Sequence, residues 1–228
     1  MEVARNTGPK DNFLSKVRKL ATELNIVLIF DECTSGFRET FGGLHKKYGI
    51  EPDMAMFGKA LGNGYAITAI IGKQEVMEAT QSTFISSTFW TERIGPTAAL
   101  KTLHLMEKIR SWQKITKIGK RIKKNWQELA DKYHLQIDHS GLSALASFDF
   151  KSSNSLAYET LITQEMLSKG YLASNKVYVC IDHTPEVIDS YFDALDPIFA
   201  LIKECEDGRD VFNLLKGSVC HNGFKRLN

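Results

Sequence analysis

What this sequence has little of narrows it first. Its cysteines, Cys33, Cys180, Cys205 and Cys220, are scattered, with no C-x-x-C and no histidine–cysteine spacing of a zinc site. The expectation is free thiols in a reducing, cytoplasmic setting. No apolar run approaches the ~18–20 residues that span a bilayer, and the start does not read as a signal peptide. Excess charge is missing as well. A formal net charge of +2 over 228 residues leaves no field to draw nucleic acid or a membrane surface. There is no internal repeat and no low-complexity tract. What remains is an ordinary globular composition, 43% hydrophobic and 25% charged, enough for one large domain or two small ones.

The apolar residues are arranged as α/β. In "NFLSKVRKLATEL" (12–24), Leu14, Val17, Leu20 and Leu24 share one helical face. "NIVLIFDE" follows, a continuous apolar run that ends in acids, the pattern of a parallel strand buried on both faces. "DMAMFG" (53–58) and "ITAIIG" (67–72) repeat the style. Helices are predicted from Ile94 to Ile109 and over 115–133, then strand "ALASFDF", helix 155–169, strand "KVYVCID" and helix 185–204. Long buried strands give way to shorter, half-exposed ones near Met106–Lys114, which places a domain boundary there. The tail beyond Glu204 has weak periodicity and reads as a loosely packed helix. In 114–133, Ile115, Ile118, Ile122, Trp126 and Leu129 form one stripe and lysines the other face, a solvated surface rather than a nucleic-acid site. His139 and His183 have no metal-like partners at fixed spacing.

Ligands of open α/β sheets sit outside the carboxyl ends of the strands. Asp31 stands at such an end, directly after "IVLIF", and Lys59 just past "DMAMFG" in the glycine-rich "FGKALGNG". An acid and an amine thus converge on one sheet edge. By position alone, both could equally be solvated charges.

The blocks "DECTSGFR" (31–38), "GIEPDM" (49–54), "GKALGNG" (58–64) and "STFWTERIGPTAAL" (87–100), in that order and spacing, resemble the class III aminotransferases. These are pyridoxal-phosphate (PLP) enzymes of fold type I, and the likeness is greatest to glutamate-1-semialdehyde aminomutase and its aminotransferase cousins. The resemblance implies that 1–108 belong to the PLP-binding large-domain sheet, 109–204 form a smaller C-terminal α/β domain, and 205–228 are a tail. It implies that Lys59 forms the internal aldimine, an amine made nucleophilic by desolvation or a neighbour, and later moves a proton as general acid–base. Asp31 would pair with the pyridinium nitrogen and keep the ring an electron sink. Thr88 would bind the cofactor phosphate of a neighbouring subunit, with Ser87 beside it in a glycine position, so the active site would need a homodimer. The other reading of Thr88 is the N-cap of the helix behind it, and a helix start can also hold phosphate. The partners would be an amino donor and a keto or aldehyde acceptor.

This sequence also departs from the family pattern. Cys33 stands where valine is usual behind the ring, a position where a small buried thiol is tolerated. Tyr65 and Ala66 replace a frequent proline, and "TERIGP" replaces a glycine-asparagine-proline run. Arg38 could meet a substrate carboxylate, but a structural ion pair is the preferred reading. Family members are about twice this length. "MEVARNTGP" resembles the end of an internal strand, and the upstream phosphate loop and ring-stacking aromatic have no counterpart here. An unpaired sheet edge would be a solubility liability. The expectation is therefore the lysine-bearing half of a PLP aminotransferase, either a piece of a longer chain or one half of a split enzyme whose N-terminal half is a separate partner. The alternatives are an intramolecular aminomutase, or a non-catalytic remnant serving as an interaction module.

Overall fold

The computed structural model describes residues 8–221. Most of "MEVARNTGP" and the end of the tail therefore lie outside the described residues. The chain divides after Thr116 into two compact units.

In the first unit, helix α1 (Phe13–Glu23) leads to β1 (Ile29–Asp31), a 3₁₀ turn (Leu44–Tyr48), β2 (Met54–Phe57), a second 3₁₀ turn (Lys59–Leu61) and β3 (Ala69–Gly72). The short helix α2 (Gln74–Met77), a third 3₁₀ turn (Glu78–Ser82) and the long helix α3 (Ile94–Ile109) follow. The strands lie in the order β1–β2–β3. β1 pairs parallel with β2, Ile29 opposite Met54 and Asp31 opposite Met56, whereas β2 and β3 are antiparallel.

β1 is shorter than the apolar run that encodes it because a side chain takes over where the ladder would start. The Asp53 carboxylate accepts from Leu28 N at 2.8 Å, and Leu28 O accepts from Asp53 N at 2.8 Å. Arg18 (2.7 Å) and Lys73 (2.8 Å) close ion pairs on the same carboxylate, tying α1 and the end of β3 to the start of β2. With Leu28 N–H the main cause, then Lys73 and Arg18, these partners hold Asp53 well below the usual carboxylate range. The core beneath is thin: Ala55, Phe57, Leu61 and Ala99, with Phe37, Ile67, Ala69 and Leu103 packed around them. The expected burial of both faces of β1 is not found. Phe30 is buried but Ile29 is exposed, and on α1 Leu20 and Leu24 face solvent while only Ala21 is buried.

The second unit takes most of α4 (Ser111–Lys132), then β4 (Ile137–Ser140), β5 (Leu145–Phe150), α5 (Ser155–Ser168), β6 (Lys176–Tyr178), α6 (Pro185–Glu206) and a last 3₁₀ turn (Val211–Leu214). Its antiparallel sheet runs β4–β5–β6. β4 is absent from the sequence prediction, because "IDHS" alternates too briefly to register. The isoleucine stripe of α4 behaves as predicted, with Ile122, Trp126 and Leu129 buried. Trp126 packs on Phe148 (centroids 4.8 Å apart) and Phe148 on Phe199 (5.9 Å). α4 approaches the sheet so closely that a β-carbon on Gly119 would lie 1.7 Å from Ser143 O, which makes glycine obligatory there. Thr184 caps α6 through Val187 N, with Pro185 in its first turn.

The tail is not the loose helix that its weak periodicity suggests. It is strapped to α5 by side-chain-to-backbone bonds: Gln164 Nε2 to Leu214 O (2.9 Å), Lys216 N to Gln164 Oε1 (2.7 Å) and Cys220 N to Thr160 Oγ1 (2.9 Å).

Candidate active site

Two parallel neighbours with matched register end on the same side, so whatever follows β1 and β2 meets at one sheet edge. Asp31 is the last residue of β1, and its Oδ1 accepts from Cys33 N at 3.0 Å, turning the chain sharply out of the strand. Lys59 begins two residues beyond β2, at φ +42°. That left-handed conformation is uncommon for a residue with a β-carbon and is held only where the surroundings over-determine it. Gly62 supplies part of that constraint, since a β-carbon there would sit 2.0 Å from Tyr65 O and force the turn open.

The loops touch. Lys59 Nζ donates to Thr34 Oγ1 at 2.5 Å, so the amine reaches across to the turn that Asp31 starts. Cys33 lies between the two backbones: its sulfur is 3.4 Å from where a Gly58 β-carbon would be. Lys59 itself is exposed and lines an open cavity of about 640 Å³ together with Gly64, Tyr65, Ala66, Ile67 and Thr68. A β-carbon on Gly95 would be 3.0 Å from Ala66 O, so the first turn of α3 packs against the far wall.

Asp31, Cys33 and Lys59 are thus brought to one edge. Ser87 and Thr88 are not among the residues lining the cavity; both are exposed, on the segment ahead of α3. Ser87 Oγ accepts from Phe89 N at 3.1 Å. Thr88 does not cap α3, contrary to the second reading of that residue. The helix starts at Ile94, and the carboxylate of Glu92 takes its first free N–H groups, those of Ile94 and Gly95. The anion at this helix start is the chain's own. Arg38 Nε donates to Thr34 O at 3.4 Å, a bond that braces the turn from behind.

Two further residues were not singled out in the sequence. Thr34 contacts the amine directly. Glu32 is fully enclosed, and its carboxylate accepts from Leu44 N, His45 N and His45 Nδ1, each at 3.0 Å, and from the Ser35 hydroxyl. Every acceptor site of that buried carboxylate is used, and residues 32–45 are pinned as one piece. The "DE" at a strand end was a visible signal for Glu32: the first acid faces the ligand edge, so the second faces inward.

One unit carries a three-stranded sheet with an acid and a lysine at its ligand edge, and the other is an antiparallel α/β unit. The fold is that of fold type I transaminases. The FumI protein of Sphingopyxis sp. MTA144, solved in its PLP internal aldimine form, superposes with a TM-score of 0.79 at 20% identity over 89% of this chain and 49% of its own. An S-selective transaminase from Arthrobacter sp. gives a TM-score of 0.72 at 20% identity, over 88% of this chain and 50% of its own.

The family follows from sequence. The class III aminotransferase model matches residues 6–185, and the chain belongs to that family. It is 31% identical over 202 residues to 3-aminobutyryl-CoA aminotransferase of Cloacimonas acidaminovorans, covering 86% of this chain and 49% of the relative. It is 29% identical over 208 residues to glutamate-1-semialdehyde 2,1-aminomutase of Methanocaldococcus jannaschii, covering 84% and 49%. The chain therefore spans about half the length of the curated relatives it matches. Among the described residues, no helix is long and apolar enough to cross a membrane.

Proposed function

We propose that this chain is the lysine-bearing half of a PLP-dependent aminotransferase, moving an amino group from a small-molecule donor to a keto or aldehyde acceptor. The observation that carries this is the placement of Lys59 at φ +42°, its amine reaching the turn that Asp31 opens. The residues present fit the cofactor. An amine faces an open cavity, a carboxylate stands at the adjoining strand end, and a small thiol packs against Gly58 next to the lysine. Bound PLP supplies an electron sink for the carbanion at the substrate α-carbon. Lys59 holds the cofactor through Nζ and, when free, carries a proton at that atom. Asp31 would keep a proton on the ring nitrogen by charge pairing, and Cys33 would pack behind the ring.

Ser87 and Thr88 act, in this reading, on the phosphate bound in a second copy. Their exposure supports this, as does the apolar company they keep: Phe84, Ile85, Phe89 and Trp90 are all exposed around them. The assembly is a homodimer in which further sequence, in the same chain or in another, supplies the rest of the sheet, with residues 1–108 in the large domain, 109–204 in the small one and 205–228 as tail. A cytoplasmic location is supported by Cys33, Cys180, Cys205 and Cys220 forming no disulfide among the described residues.

The test is spectroscopic. PLP added to the chain, alone or mixed with a polypeptide carrying the complementary half, gives a visible absorption band that is lost in Lys59→Ala. A band that survives Lys59→Ala, or no band in either mixture, defeats the enzyme reading and leaves the interaction module. The aminomutase reading shares this site and differs only in where the amino group ends.

A further inference from the structure

We propose that Thr34 is a positioning residue for the Lys59 amine, holding it at the sheet edge through a hydrogen bond that survives both gain and loss of the amine's proton. This rests on the reading that Lys59 is the working amine. A hydroxyl both donates and accepts, so Thr34 Oγ1 accepts from an ammonium and donates to the lone pair of a neutral amine. A lysine stem is long and flexible, and an exposed one samples many rotamers unless its tip is held. Here the tip is held, with Nζ 2.5 Å from Oγ1.

The hydroxyl sits on a rigid platform. Residue 34 lies in the turn locked from inside by the buried Glu32 carboxylate through Ser35, Leu44 and His45. Gly36 N to Glu32 O (2.8 Å) and Arg38 N to Ser35 O (3.3 Å) add backbone ties, and the Arg38 side chain adds one from Nε to Thr34 O (3.4 Å). On the other side the lysine backbone is itself constrained at φ +42°. Both ends of the bond are thus anchored before any ligand arrives, which is preorganisation of a proton carrier.

The test needs no cofactor. The full chain is acetylated with acetic anhydride at a fixed, mildly alkaline pH. Initial rates at Lys59 and at Lys73 are then read by peptide mass spectrometry for wild type, Thr34→Val and Thr34→Ser. The valine variant labels Lys59 roughly fivefold faster, the scale of one net hydrogen bond, serine restores the wild-type rate, and Lys73 is unchanged in all. Equal Lys59 rates in wild type and Thr34→Val, or a serine variant that behaves like valine, overturn the proposal. Should Thr34→Val unfold, seen as faster Lys73 labelling, Thr34→Ala decides by the same criterion with less bulk in the turn. A PLP band independent of Lys59 would defeat the functional reading while leaving these rates intact, so the two failures are distinguishable.

Discussion

Trp126, Phe148, Tyr158 and Phe199 of the second unit have no solvent exposure, whereas Phe84, Phe89 and Trp90 of the first stand 96%, 74% and 68% exposed. The chemistry of the surroundings differs in the same direction. In the second unit even polar tips are absorbed: Trp126 Nε1 donates to Tyr191 OH at 3.1 Å, and Tyr158 OH donates to Glu206 at 2.6 Å. Burial and the Glu206 carboxylate push the Tyr158 phenol up to about 12. The first unit instead presents apolar faces on α1, β1 and β3, with Ile70 and Ile71 joining Leu20, Leu24 and Ile29 in solvent. Exposed apolar area on that scale marks contact surface. The second unit closes its own core among the described residues, and the unit that carries Lys59 leaves apolar faces uncovered.

The sharpest way to break this contrast is to open the second unit. Trp126→Ala removes a fully buried ring and should cost about 3–5 kcal/mol. In urea denaturation followed by circular dichroism, the second unit should melt early while the Lys59 labelling rate stays as in wild type. Loss of both together would mean that the units do not differ in autonomy.

Asp53→Asn strikes the first unit, where one carboxylate ties α1, β2 and β3. Its loss should cost about 1–3 kcal/mol, the scale of leaving the other partners unpaired. The sign of the pH dependence follows from the lowered folded value. The contribution is complete above the unfolded carboxylate's ~3.9 and disappears as pH falls through the lower folded value. Acid titration of stability should therefore flatten in Asp53→Asn.

Phe89→Ser with Trp90→Ser tests the openness of the first unit. Stability should move by less than about 0.5 kcal/mol, as for surface positions, while self-association in sedimentation velocity falls. Unchanged association would remove the dimer reading of the 83–93 segment.

The smallest effect belongs to His139, beside Trp126 in the second unit. Neither of its buried ring nitrogens meets a hydrogen-bond partner among the described residues. Burial, then the positive charge of Lys123, lowers its affinity for a proton. The second unit keeps its full stability above the unfolded value of ~6.5 and loses part of it as pH falls through that value toward the lower folded one. His139→Phe should erase this dependence between neutral and mildly acid urea melts.

Much of this was legible residue by residue. The limits Ile94–Ile109 of α3 follow from periodicity and match the observed helix, and the stripe Ile122, Trp126, Leu129 faces the core as its spacing requires. Asp31 and Lys59 stand at strand ends because runs of apolar residues end there. Thr34 was not legible, since a threonine in a turn has many local uses and only the path of the chain aims it at Lys59. Glu92 was hidden for a similar reason. It stands two residues before α3, close to where sequence reasoning looks for serine or threonine and offered Thr88 as an alternative cap.

Local patterning by itself determined most element types, the order of the predicted strands along the chain, and the acid and the amine at strand ends, and the resemblance of four sequence blocks pointed to the family. Tertiary structure alone decided that the Leu20–Leu24 face of α1 is left in solvent, that Asp53 replaces the start of a ladder, and that the hydroxyl of residue 34 meets the amine of residue 59. The physical reason is range. Periodicity and turn chemistry act over a few neighbours, whereas burial and the meeting of two loops depend on which distant segments share an edge.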